Sequence, residues 1–339
     1  MRNLGHRDSA TEPGPPAPGW AGVATCALAE TGLAVPQPAP RRLPYHLLAL
    51  TTAGHGTVEV DFATQICRPG TLLWVRPGQA LRFGGQPGLD AALVIWKRDL
   101  LPPDQMAAVA IDDPTGPARW QLAGEDEDAV ISEFSQLAVD CGRHSTGAVA
   151  AGLLRHQLAV LLLRTALLAA DDDRGGTTAE SRTYARFRRY LEEGHPHSRR
   201  VEDYAARLRC SVRTLTRASL AVTGRTAKQA VDDRVALEAR RLLACTALSV
   251  AEIGRRLGFP EPTNFGRFFH REVGVSPGAF RADSADLGGY GAGPGTVYTE
   301  AADPDGATEA NGTPGTATTH WSARMEGSGL VSAQRPPAD

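Results

Sequence analysis

The stretch from Ser249 to Pro277, SVAEIGRRLGFPEPTNFGRFFHREVGVSP, decides how this chain reads. Ser249 followed three residues later by Glu252 is a capping box, and Val250, Ile253 and Leu257 then recur at helical spacing, so a helix with one apolar stripe starts here. Gly258 ends it. Pro262 falls near the first turn of a second helix, where a missing amide donor costs little. In that second helix Phe265, Phe268, Phe269 and Val273 share one face at i, i+3, i+4 and i+8, which leaves Thr263, Asn264, Arg267 and Arg271 on the other. Two short helices joined by a glycine turn, with Gly254 allowing close approach, have the form of a helix-turn-helix.

The pattern occurs twice. Val201, Tyr204, Ala205 and Leu208 match Val250, Ile253, Gly254 and Leu257 at an offset of 49; past the turn Leu215, Arg217, Val222 and Gly224 match Phe265, Arg267, Glu272 and Gly274 at an offset of 50. In the first copy Ser211 caps the second helix, Leu215, Ala218 and Val222 are expected inward, and Arg213, Thr216 and Arg217 outward. Arg reads guanine edges bidentately and Asn can read adenine, so such faces suit a major groove; two hairpins with merely solvated surfaces are the competing reading. Between the copies Ala227, Val231, Val235, Ala239 and Leu242 predict a helix over 226–244. At ~1.5 Å per residue its 19 residues span about 28 Å. Successive major-groove faces are ~34 Å apart, so such a rod can hold two reading helices one turn apart.

Charge agrees with this placement. Residues 181–282 hold 20 Lys+Arg against 10 Asp+Glu, whereas 1–180 hold 14 against 20 and 283–339 hold 2 against 8. A basic module in an otherwise acidic chain points to a polyanionic partner, and 19 of its 20 basic residues are Arg, the residue that forks onto phosphate and guanine. The five cysteines are scattered without a CxxC pair, which fits reduced thiols in a cytoplasm and no zinc site. No signal-peptide-like apolar run opens the chain. The most apolar stretch, Gly152 to Ala170, is interrupted by Arg155, His156 and Arg164, so a membrane span is not expected.

Composition also sets the expected domains. Residues 1–18 are Pro/Gly-rich and read as disordered, as does the acidic tail 283–339. Residues 19–102 read as a small β-barrel or sandwich: apolar runs at Tyr45–Thr51, Thr57–Phe62, Thr71–Val75, Ala80–Phe83 and Leu89–Trp96 are punctuated by glycine- and proline-bearing turns. Residues 103–175 read as linker and dimerisation helices, about 126–139 and 148–169, the second ending at Asp171, Asp172 and Asp173. In the second, Leu154, Leu158, Leu161 and Leu168 share one face, either packed against the sheet or paired with the same helix of a second subunit.

From about Tyr184 to Ala282 the chain resembles the DNA-binding domain of AraC/XylS-type transcriptional regulators, most specifically in LSVAEIGRRLGF, NFGRFF and GVSPGAFR. The resemblance implies an α+β protein: a cupin-like sensing domain with linker helices, then an all-α DNA-binding domain over 181–282 with two helix-turn-helix units on a connecting helix. It carries base reading over to Arg213, Thr216 and Arg217 and to Thr263, Asn264 and Arg267. It implies double-stranded DNA, a second copy of the chain, a small-molecule effector and RNA polymerase as partners, activation as the favoured sense of regulation, and no cofactor, metal or catalytic residue. Tyr45, Trp74, Phe83 and Trp96 are the candidate effector lining, with plain core as the competing reading for each. Three departures stand out: Ala218-Ser219 replaces a usual Leu-Phe pair, Pro262 takes a position that often reads a base, and Ala227 replaces a proline, leaving Thr226 to cap the connecting helix. The alternative function is a cupin-type metalloenzyme or a DNA-repair protein fused to a DNA-binding module. Against it, His46 and His55 lack metal-ligand spacing, and no GxSxG, P-loop or HExxH motif occurs.

Overall fold

A computed structural model describes residues 21–33, 39–84, 88–101, 109, 118–144, 146–172 and 178–286. The segment 1–18, read above as disordered, lies outside the described residues, and so does 287–339 of the tail expected to be disordered from 283; residues 283–286 instead end a helix. Among the described residues nine strands come first: β1 (Val23–Ala27), β2 (Arg41–Arg42), β3 (His46–Ala53), β4 (Gly56–Val60), β5 (Ala63–Cys67), β6 (Thr71–Val75), β7 (Ala80–Phe83), β8 (Asp90–Trp96) and β9 (Arg119–Gln121). They form two antiparallel sheets, one ordered β1-β8-β3-β6-β9 and the other β2-β7-β4-β5. The β domain therefore extends past the expected boundary at 102, because β9 pairs with β6 from within the stretch assigned to the linker.

The larger sheet is covered on both faces, which explains why β3 and β6 read as unbroken apolar runs rather than alternating ones. Leu47, Ala49, Leu73, Val75, Leu93 and Ile95 face the second sheet; Leu48, Leu50, Leu72, Trp74, Val94 and Trp96 face two helices, α1 (Gly124–Arg143) and α2 (Ala148–Asp172). The leucine stripe of α2 is part of that second core. Leu154, Leu158 and Leu161 are buried and Leu168 is half-buried against the same cluster, so the structure takes the intrachain alternative for this face. Asp140 ties α1 to α2 by accepting from Gln136 and Gln157. The opposite side of α2 exposes Val149, Leu153, Val160, Leu163 and Leu167. By length and composition α2 is apolar enough to cross a membrane, yet its inward leucines already pack on α1 and the sheet.

A second difference concerns Phe62, the last residue of the apolar run Thr57–Phe62 read above as a strand. It stands instead in the two-residue turn between β4 and β5, where Asp61 has φ 53° and Phe62 φ 68°. Two successive positive φ values let a tight hairpin follow the twist of its strands, normally with Asn or Gly there.

The rest is helical: α3 (Ala179–Gly194), α4 (Val201–Arg207), α5 (Val212–Thr223), α6 (Ala227–Cys245), α7 (Val250–Arg256), α8 (Pro262–Val273) and α9 (Pro277–Asp286). The expected caps are present. Ser211 accepts from the Thr214 amide, Thr226 forms a capping box with Gln229, and Ser249 forms one with Glu252.

Candidate nucleic-acid interface

The duplication seen in the sequence is a duplication of backbone. α4 and α7 are each seven residues long, α5 and α8 twelve. The turn of the first unit is closed by Cys210 N–H donating to Ala205 C=O and that of the second by Phe259 N–H to Gly254 C=O, at the predicted offset of 49. Both turns need a left-handed residue, Gly258 (φ 76°) in one and Arg209 (φ 54°) in the other. Gly224 and Gly274, also left-handed, end α5 and α8 at the offset of 50. Gly254 matches the packing expected of it, since a Cβ there would lie 3.1 Å from Cβ of Phe265.

Each unit has its own core, and the two share no residue. Phe187, Leu191, Tyr204, Leu208 and Leu215 close on Ala227 and Val231, in the first half of α6; Ile253, Leu257, Phe265 and Phe269 close on Val235, Ala239, Leu242 and Leu243, in its second half. Burying those stripes turns the opposite faces of α5 and α8 outward. Thr263, Asn264 and Arg267 are exposed on α8; on α5 Arg213 and Arg217 are exposed and Thr216 is half-buried. Arg217 is 3.7 Å from Glu180, a loose exposed pair, while Arg213 and Arg267 have no ion-pair partner among the described residues. The six candidate reading residues therefore sort onto two open faces, with three guanidinium groups available to phosphate or base edges. One inward assignment fails. Val222 is 44% exposed, and the inward place is taken by Ser219, which is fully buried and donates to Arg225 C=O at 2.7 Å. A hydroxyl so satisfied can occupy a small core without an unmet polar cost.

The β domain touches this helical region through charge. Arg241 of α6, almost wholly buried, donates from Nε and Nη2 to the two carboxylate oxygens of Asp61, at 2.7 and 2.6 Å. Asp61 also accepts from Gln79 Nε2 and from the Ala80 amide. Glu238, one turn earlier on α6, accepts from Arg42 at 2.9 Å and lies 3.3–3.4 Å from Arg234 and Arg241. Burial by itself raises the Glu238 carboxyl, but Arg42, Arg234 and Arg241 outweigh it and hold the group at about 2. Phe62 meets Phe280 of α9 edge-on, ring centroids 5.4 Å apart, with the Arg240 guanidinium over its ring. None of these contacts was assigned from the sequence. Arg234, Glu238 and Arg241 recur at steps of four and three on α6, so a charged stripe was legible, but its partner was not.

The four aromatic residues proposed as effector lining are not brought together. Trp74 and Trp96 face α1 and α2, Phe83 lies between the sheets, and Tyr45 packs at that second core's margin. Trp74 Nε1 donates to Nδ1 of His46, whose ring stacks on Trp96 at 4.8 Å and 7°. Burial, then the charges of Arg76 and Arg98, push the His46 imidazole down to about 3. The cavity between the sheets has about 10 Å³ of free volume and is lined by Ala49, Thr51, Val58, Cys67 and Phe83 among others. Among the described residues no group of three or more His, Cys, Asp or Glu side chains could hold a metal ion.

Two tandem helix-turn-helix units with open basic faces, behind a β-sandwich, define a DNA-binding transcriptional regulator. Comparison with known proteins agrees with this class. Residues 204–283 match a helix-turn-helix domain and 29–91 an AraC-like ligand binding domain. The arabinose operon regulatory protein of Salmonella typhimurium is 25% identical over 247 residues, 72% of this chain and 85% of that protein. The transcriptional activator RhaS of Salmonella agona is 25% identical over 249 residues, 69% and 84% of the two chains. The chain thus carries the helix-turn-helix and ligand-binding domains of an AraC-type transcriptional regulator. Among solved structures, ToxT of Vibrio cholerae O395 aligns at 9% identity over 77% of this chain and 97% of its own, TM-score 0.40. The DNA-binding domain of AdpA, in complex with a target DNA, aligns at 35% identity over 30% of this chain and 89% of its own, TM-score 0.27.

Proposed function

We propose that this regulator reads a two-part DNA site with α5 and α8, using Arg213, Thr216 and Arg217 for one part and Thr263, Asn264 and Arg267 for the other. The observation that carries this reading is the pair of open faces on either half of a 19-residue rod, with Arg213 and Arg267 free of ion pairs among the described residues. The chain acts in the cytoplasm, without catalytic activity, and activates transcription through RNA polymerase as the activators among its relatives suggest. It works as a homodimer, but not through the buried leucines. The open stripe Val149, Leu153, Val160, Leu163 and Leu167 of α2 supplies the apolar surface a second copy would cover. The β domain takes a small-molecule effector. The space between the sheets, where Phe83 lies, is the site; at about 10 Å³ it holds roughly one water, so an effector enters only if the sheets part.

Genome-wide mapping of sites bound by the full chain tests this reading, with Arg217→Ala and Arg267→Ala as companions. Discrete sites sharing a two-part motif are expected, each variant relaxing one part. Affinity should fall linearly with log salt as counterions are released. Uniform coverage indifferent to both variants would sink the proposal.

A further inference from the structure

The covalent tie between the two helix-turn-helix units is α6, and since their cores share no residue, its stiffness alone would set how α5 and α8 are presented. A second tie bypasses it. Arg199, in the turn between α3 and α4 of the first unit, donates from Nη2 to the Gly258 carbonyl at 3.0 Å. Its guanidinium lies over the Phe259 ring, with Cζ 3.7 Å from the centroid. Gly258 and Phe259 are the turn that leads from α7 into α8. Phe259 is also the ring on which α8 is seated: it is buried, meets Phe265 edge-on at 5.4 Å and lies 5.0 Å from Phe268. Asp232 of α6 joins the same junction, paired with Lys228 and 3.6 Å from Arg271 of α8. Burial disfavours the Arg199 cation and lowers its pKa, and the Asp232 carboxylate counters part of that effect.

An arginine that donates to a carbonyl while its guanidinium lies over a ring makes a directional contact, harder to replace than a point charge. Its place matters more than its strength. It spans from the first unit to the entrance of the second unit's reading helix, so it resists bending and twisting of α6 between the half that seats the first unit and the half that seats the second. For a two-headed binder the gain from the second head depends on how narrowly the tie holds it at the span required. We infer that Arg199 is a positioning residue for DNA readout, a cross-brace that restricts the protein to operators whose two parts stand at one spacing. This rests on α5 and α8 being the readers.

The test is selection of bound duplexes from a random pool by the full-length protein, followed by affinity measurements on the selected motif. The wild type should return a two-part motif at a single spacing. Arg199→Ala should return the same two parts spread over spacings one base pair either way, and its affinity at the wild-type spacing should fall about tenfold as the effective concentration of the second head drops. Its affinity for a duplex carrying one part alone should stay within about twofold, a readout that loss of core packing would not spare. Arg199→Lys, which keeps charge and donor without the planar stack, should restore part of the preference. Unchanged spacing and affinity in Arg199→Ala would overturn the inference; so would loss of binding to single parts in step with a lower Tm. A wild type that selects one undivided motif would fail earlier, at the assignment of two readers, and take the inference with it.

Discussion

Replacing Asp61 by Asn changes one oxygen for an amide nitrogen at the contact between the β domain and α6. The substitution keeps the shape of the side chain, and Asn tolerates φ of 53° at least as well as Asp, so the hairpin turn is preserved. The amide oxygen can still accept from the Ala80 amide. What it cannot do is answer both nitrogens of Arg241, which is 4% exposed. Removing one partner of a buried ion pair costs about 3 to 5 kcal/mol when the other charge is stranded. Here Glu238 remains 3.4 Å from Arg241, so the loss is nearer that of a charge-assisted hydrogen bond, about 1.5 to 3 kcal/mol. At 1.4 kcal/mol per factor of ten, undocking of the two regions should become about ten- to a hundredfold more frequent. Hydrogen exchange of the α6 amides around Glu238 and Arg241 in the full chain measures it, alongside Arg241→Met and the double variant. The cycle should give a coupling well above the ~0.5 kcal/mol scatter of independent sites. Additive effects and unaltered exchange would show that this ion pair does not hold the β domain on α6.

Arg267→Ala and Phe269→Ala should fail differently. Arg267 is exposed, so its loss should leave Tm unchanged and cost about 1 to 3 kcal/mol of operator binding if it reads a base. Phe269 is fully buried, so its truncation should cost about 3 to 5 kcal/mol of stability, seen in urea unfolding. Leu163→Glu with Leu167→Glu, both on the open side of α2, should give a folded monomer by light scattering, whereas Leu158→Glu should unfold the β domain rather than separate subunits. Stability of the β domain should fall as pH drops from 7.5 to 5: His46 titrates at about 3 when folded against 6.5 when unfolded, so the unfolded chain binds the extra proton in that window and stability is present above it. His46→Phe should flatten the slope, which approaches about 1.4 kcal/mol per pH unit, one proton's worth, toward the acid end of that window.

The sequence by itself determined the helical half almost completely. The stripe Val250, Ile253, Leu257, the serine cap, the glycine turn and the repeat at offset 49 are properties of segments under thirty residues long, where backbone hydrogen bonding and one apolar face are set locally. The outward face of α8 followed, because a helix that buries Phe265, Phe268 and Phe269 has no freedom to turn Thr263, Asn264 and Arg267 anywhere else. What local pattern could not decide was which apolar surface meets which. Leu158 and Leu161 fit a subunit interface as well as a sheet, until Leu48, Trp74 and Val94 are seen to cover them. Val222, expected inward, stays 44% exposed, while Ala218 and the hydrogen-bonded Ser219 fill the small core of its unit. Phe62 alternates correctly for a strand yet sits in a turn, held by Phe280 and Arg240 about two hundred residues away. Arg199 gave no signal of its own. A guanidinium finds its carbonyl and its ring only after the chain has brought residues 199 and 258 together, and such contacts are decided by tertiary geometry because no periodicity within either segment records the other.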